Sequence, residues 1–97
     1  MSGRPNIRHV VFFSAKNQAD VPRVLEGLSL LADIPHSDFF EVRENTRDDA
    51  LSGEVDIIVY AEFASHDALT AYKSHPLYQE SIRVVRPLRD LRIAADF

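Results

Sequence analysis

The sequence has no cysteine and only three glycines among 97 residues. Without thiols there is no disulfide, no thiol chemistry and no thiolate metal site. Three scattered glycines, Gly3, Gly27 and Gly53, cannot build a phosphate-cradling loop. Basic residues are also in deficit, eleven Lys and Arg against fifteen Asp and Glu, which leaves a net charge of −4 and a pI near 5.4. A nucleic-acid binder needs a basic face for phosphates, and a protein docking on anionic lipid needs the same, so neither partner is expected. No apolar run reaches the length of a bilayer-spanning helix. The opening Met1–Asn6 is short and polar, and the apolar run behind it ends at Phe13, which does not read as a secretory signal. The four histidines, His9, His36, His66 and His75, show neither His-x-His nor His-Glu-x-x-His spacing. Asp48-Asp49 reads as part of a solvated loop. The expectation is one cytoplasmic domain over residues 1–97, with no metal and no cofactor.

What is present is a strong alternation of short elements. Ile7 to Ser14 reads as a strand whose two faces, His9/Val11/Phe13 and Arg8/Val10/Phe12, are both largely apolar, so both should be covered. After a polar connection over Lys16–Asp20, with Asp20 as a candidate N-cap and Pro22 near the start, Val21, Val24, Leu25, Leu28 and Leu31 recur at helical spacing to about Ala32. Gly27 inside that helix costs about 1 kcal/mol against alanine, a cost that close packing on the sheet would explain. Pro35 ends the unit. Asp38 to Asn45 is a more polar strand, suited to an edge. A charged loop, Thr46–Glu54, leads to a third strand, Asp56–Phe63, again apolar on both faces and therefore central. Ser65 caps a second helix with Asp67 in its first turn. Pro87 stops a third, and Leu88–Phe97 is the last strand, with Leu91, Ile93, Ala95 and Phe97 on one face.

The order β-α-β-β-α-(α)-β is that of a ferredoxin-like α+β subunit with an antiparallel sheet. Helices in this arrangement cover one face of the sheet only, yet two strands are apolar on both. A bare apolar face of that size marks an interface. A homodimer is expected, two sheets face to face with twofold symmetry.

The stretch Leu69-Thr70-Ala71-Tyr72-Lys73-Ser74-His75-Pro76-Leu77-Tyr78 gathers two phenols and an imidazole around one proline. Pro76 disfavours the α region for His75 and suits the first position of a new helix, so His75 should be the N-cap between two helices. The second of these carries Tyr78, Ile82 and Val85 on one side.

These residues carry a resemblance. Arg8-His9-Val10-Val11-Phe12-Phe13, then Asp56-Ile57-Ile58-Val59-Tyr60-Ala61-Glu62-Phe63, then Ala68-Leu69 through Tyr72 to His75-Pro76, and the ending Ile93-Ala94-Ala95-Asp96-Phe97 together resemble the stress-responsive A/B barrel (Dabb) family. The resemblance covers nearly the whole chain and implies a dimeric α/β barrel of ferredoxin-like subunits. Most members of that family have no defined activity. A plant member, olivetolic acid cyclase, folds a linear polyketide in a pocket between sheet and helices, and the wider superfamily includes cofactor-free monooxygenases. The family often reads His-Pro-x-His, with the second histidine as the base of the cyclase, whereas this chain has Tyr78 there. A phenol titrates near about pH 10, which makes it a poor base at neutrality but a serviceable donor. The resemblance matches the cyclase tyrosine to Tyr72.

His9 and His75 are therefore the candidate proton-moving residues, and Val11, Phe13, Val59, Tyr72 and Tyr78 the candidate ligand-binding set. For each there is a plainer alternative: a core histidine paired with a neighbour, a corner histidine bonded to backbone, and aromatics that simply fill the core. Arg83, Arg86, Arg89 and Arg92 recur every third residue. They read as helix C-terminal charge complementation and a solvated strand face, because period three does not stay on one face of a strand. The alternative is that Arg92 supplies a positive group for an acidic ligand. Three functions stay open: binding of a small hydrophobic, phenolic or carbonyl compound; cofactor-independent catalysis on such a compound by His9 or His75 with Tyr72 and Tyr78; and a purely structural or protective dimer.

Overall fold

The computed structural model of the chain describes residues 6–97. The polar start read over Met1–Pro5 lies outside the described residues. Ile7–Ala15 forms β1, Val21–Ser29 α1, Phe39–Glu44 β2, Ile57–Phe63 β3, His66–Ser74 α2, Pro76–Val85 α3 and Arg89–Asp96 β4. The four strands pair antiparallel in the order β2-β3-β1-β4. The two strands that are apolar on both faces, β1 and β3, are the central ones, and the polar β2 is an edge. This is the ferredoxin-like arrangement.

The helices cover one face of the sheet. On that face β1 buries Ile7, His9, Val11, Phe13 and Ala15, and β3 buries Ile57, Val59, Ala61 and Phe63. Val24, Leu28 and Leu31 close over them from the first helical unit, Leu69, Tyr72 and Val85 from α2 and α3. The other face carries Val10, Phe12, Ile58 and Tyr60, all half-buried, with Ile93 54% exposed beside them on β4.

Local chemistry explains the element ends. The Ser65 hydroxyl accepts from the Ala68 N–H at 3.1 Å and caps α2. His75 is extended, with φ −70° and ψ 143°, as a residue before proline should be. Its Nδ1 accepts from the Leu77 N–H at 3.1 Å, which caps α3. Asp20 differs from expectation: it is already helical in backbone, makes no capping bond, and instead sets its carboxylate 3.5 Å from Arg23. The first helix also tightens into a 3-10 turn over Leu30–Asp33 rather than continuing to Ala32. Gly27 does allow a close approach, but of α3 and not of the sheet. A Cβ there would lie 2.8 Å from Val85 Cγ2 and 2.9 Å from Val84 Cγ1, both on stiff β-branched side chains. The bared Gly27 carbonyl accepts from the buried Ser81 hydroxyl at 2.9 Å.

One buried carboxylate ties the loop of residues 45–56 to the sheet. Asp56, 3% exposed, accepts from the Ala15 N–H at 2.9 Å, from Gln18 Nε2 and from the Arg47 guanidinium. Arg47 reaches it from a left-handed backbone conformation, φ 62°. Burial alone would raise the Asp56 pKa, but the Ala15 N–H, Arg47 and Gln18 together hold it below the ordinary carboxylate value. Asp56→Ala should cost about 2–3 kcal/mol at neutral pH, because the Ala15 donor and the Arg47 charge lose their partner. A carboxylate whose pKa is lower folded than unfolded stabilises above the unfolded value, about 3.9, and that stabilisation is lost as pH falls through the folded value. Urea unfolding of both proteins from pH 7 to pH 2.5 should thus show their stability difference shrinking only below about pH 4. A difference constant over the whole range would refute the charged role.

Candidate functional site

A cavity of about 30 Å³ opens between the sheet and the helices. That is room for about two waters as it stands. His9, Val11 and Phe13 from β1 and Val59 from β3 form its floor; Tyr72 and Tyr78 form its wall. Ser81, Ile82 and Val85 of α3 and Leu28 and Leu31 of the first helical unit complete the apolar side, and Arg89 and Arg92 of β4 stand at one end.

His9 is 2% exposed, and its Nδ1 lies 2.5 Å from Asp96 Oδ1 across the β1–β4 pair, where the two residues are in register. A carboxylate only accepts, so Nδ1 carries the proton and donates. When the ring is neutral, Nε2 keeps a lone pair. Nε2 has no protein partner among the described residues, and neither has the Tyr72 hydroxyl. Yet no fully buried side-chain nitrogen or oxygen among those residues is left unpaired. Both atoms therefore keep some accessible surface, and both residues line the cavity. The rings of His9 and Tyr72 meet edge-on with centroids 6.3 Å apart, and Tyr72 meets Tyr78 in the same way at 5.4 Å.

Burial, reinforced by the neighbouring Tyr78 and only partly opposed by Arg92, pushes the Tyr72 phenol far above its ordinary pKa. Tyr72 is a neutral hydrogen-bond donor at any physiological pH and never a base. The site thus sets an acceptor, Nε2 of a neutral His9, beside a donor, the Tyr72 hydroxyl, among apolar side chains, with Tyr78, Arg89 and Arg92 adding donors toward one end.

His75 does not line this cavity. Its Nδ1 is engaged by the Leu77 N–H, and its ring stands edge-on to His36 at 6.0 Å, outside the lining. The corner histidine shapes the α2–α3 turn that places Tyr72 and Tyr78 side by side, and it is not brought together with His9.

Sequence reasoning missed two groups. Asp96 is 87 positions from His9, and only the β1–β4 register joins them. Arg89 reads in the sequence as part of a solvated face and Arg92 only alternatively as a group for an acidic ligand, and regular alternation would put the two on opposite faces. The strand is not regular: Phe13 pairs with Arg92 and Ala15 with Arg89, so β4 spends three residues where β1 spends two. Arg92 is on the cavity side by its pairing with Phe13, and the bulge turns Arg89 to the same side. The signal available in the sequence was weaker, namely that Arg92 and Asp96 alternate with Ile93, Ala95 and Phe97. Arg83 and Arg86 follow the simpler reading, Arg83 pairing with Glu80 on the outside of α3 and Arg86 being exposed. Among the described residues no group of three or more His, Cys, Asp or Glu could hold a metal ion, and no helix is long and apolar enough to cross a membrane.

Comparison with known proteins agrees with this architecture. A dimeric ferredoxin-like protein of unknown function from Thermobifida fusca superimposes with a TM-score of 0.79 at 27% identity, covering 94% of this chain and 88% of that one. A Dabb family protein with a ferredoxin-like fold from Mesorhizobium loti gives 0.77 at 24% identity, with 94% and 93% covered. A proposed antibiotic biosynthesis monooxygenase from Chloroflexus aurantiacus gives 0.75 at 16% identity, with 95% and 91% covered, a likeness of fold alone. No curated protein matches the chain. The family described as the stress responsive A/B barrel domain matches residues 7–97. With that match running from the first residue of β1 to the end of the chain, the protein belongs to the stress responsive A/B barrel domain family.

Proposed function

We propose that the protein is a cytoplasmic homodimer that binds a small, largely apolar phenolic or carbonyl compound between its helices and its sheet. The observation that carries this reading is the pairing of an unpartnered acceptor, His9 Nε2, with an unpartnered donor, the Tyr72 hydroxyl, on one cavity wall. A phenol donates to the first and a carbonyl accepts from the second. A buried polar group is ordinarily satisfied within the protein, and two facing one cavity are what a ligand of this chemistry requires. The cavity must widen to admit a ring, and its walls allow this where Tyr78 and Ile82 are half-buried and Arg92 is exposed. Dimerisation rests on the uncovered apolar sheet face and on the dimeric state given for the T. fusca protein.

Catalysis is the second reading, and the His9–Asp96 pair favours it. Asp96 fixes the ring so that Nε2 faces the cavity as a base. Nε2 would take a proton from carbon beside a ligand carbonyl, the electron pair would move onto the carbonyl oxygen, and the Tyr72 O–H would hydrogen-bond that oxygen. One probe tests both readings. 4-Hydroxyacetophenone should perturb the NMR signals of residues lining the cavity, and His9→Gln should weaken its binding about tenfold. In D2O the catalytic reading further requires that the native protein, and not His9→Gln, accelerate loss of the probe's methyl proton signal. Binding without exchange leaves a binding protein, and no binding at millimolar probe removes both readings.

A further inference from the structure

We infer that the ligand carries a carboxylate, and that Arg92 and Arg89 at the end of the cavity receive it. The inference rests on the binding reading above and specifies the other pole of the same ligand. Two guanidiniums line one small cavity in a chain whose net charge is −4. Neither forms an ion pair among the described residues, although Arg23, Arg43, Arg47 and Arg83 all do. The unpaired state is not for want of acids, which outnumber bases in the sequence fifteen to eleven.

The two like charges are brought together by the β4 bulge, which a regular strand would have avoided. Arg89 is half-buried, and burial first, then the charges of Arg92 and Arg86, lower its pKa from the ordinary arginine value. Both effects oppose the folded state as it stands. An anion between the guanidiniums relieves both at once. A carboxylate suits the geometry, since its two oxygens accept parallel N–H bonds from a guanidinium fork.

The spacing also suits one small molecule. Arg92 and Asp96 are four residues apart on β4, opposite Phe13 and His9, so the poles are separated by about 13 Å along the backbone. An arginine side chain closes much of that gap. Arg92 Nη2 already reaches the Tyr78 hydroxyl at 3.5 Å, and Tyr78, Tyr72 and His9 follow one another edge to face. The row from Arg92 to His9 is thus cation, phenol, phenol, imidazole. A planar hydroxy or keto acid fits it, with the acid group at β4 and its far oxygen at His9 and Tyr72.

The test compares 4-hydroxybenzoate with the uncharged 4-hydroxyacetophenone by calorimetric titration. The acid should bind about tenfold or more tightly than the ketone, and added salt should weaken the acid alone. Arg92→Gln, a change at an exposed position, should weaken binding of the acid about tenfold and so erase its preference over the ketone, and Arg89→Gln should do the same. Equal affinity for acid and ketone in the native protein would overturn the inference and leave the binding reading standing. Failure of both probes to bind would overturn the binding reading itself and this inference with it. Octanoate binding as tightly as 4-hydroxybenzoate would place the ligand among fatty acids and overturn the two-pole assignment.

Discussion

Phe12→Asp should convert the protein from a dimer into a folded monomer of 11.0 kDa. Phe12 stands on the sheet face that no helix covers, and it is the middle of an apolar row. Its partners in register are Ile58 on β3 and Ile93 on β4. The next row along, Tyr60, Val10 and Ala95, is apolar but for one phenol, whose hydroxyl bonds Glu62. Two such faces stacked across a twofold axis bury each row against its copy. One substitution then introduces two carboxylates into a single interface. Burying an unpaired carboxylate costs about 3 kcal/mol or more, about 6 kcal/mol for the two, so the dissociation constant should rise about ten-thousandfold or more. Within the subunit Phe12 is only half-buried, and the core on the opposite face of the sheet is untouched. Far-UV circular dichroism should therefore be unchanged while light scattering reports the halved mass. A native protein already monomeric at micromolar concentration would dispose of the dimer. A Phe12→Asp protein that stays dimeric would move the interface elsewhere.

The same rows show what the sequence could and could not convey. Central strands were legible because β1 and β3 are apolar on both alternating sets, a pattern that edge strands do not need. The corner at His75-Pro76 was legible because proline restricts its predecessor whatever the tertiary context. The cavity was half legible: His9, Val11, Phe13 and Val59 share one face by simple alternation, and Tyr72 and Tyr78 follow from helical spacing. Register between distant strands was not legible. It alone brings Asp96 to His9, and a bulge of one residue alone turns Arg89 to the side of Arg92. No local pattern encodes that bulge, since no glycine or proline marks it. For His75 the local signal was clear, since the cap role that Pro76 implies is the one its Nδ1 fills, but its place apart from the cavity depends on packing that no local pattern shows.

Tyr72 separates packing from function in one position. It is 1% exposed and meets Phe63 at 4.9 Å, Tyr78 at 5.4 Å and His9 at 6.3 Å between ring centroids. Tyr72→Ala empties the centre of that cluster and should cost about 3–5 kcal/mol, a large share of the stability of a domain this size. Tyr72→Phe keeps the ring and all three aromatic contacts and removes only the hydroxyl. That hydroxyl has no partner among the described residues, so its loss leaves none of them unsatisfied, and urea unfolding should shift by less than about 1 kcal/mol. Binding behaves differently. If the hydroxyl donates to a ligand carbonyl, Tyr72→Phe should weaken 4-hydroxyacetophenone about three- to tenfold, the worth of one neutral hydrogen bond. Because burial holds the phenol protonated, the native affinity should owe no pH dependence to Tyr72 between about pH 5 and 9. A Tyr72→Phe protein that binds the probe as well as the native one would return this residue to the core. A stable Tyr72→Ala protein would mean that the helices do not rest on it. The two variants together decide whether the phenol at the centre of the molecule is there for its ring alone or for its oxygen as well.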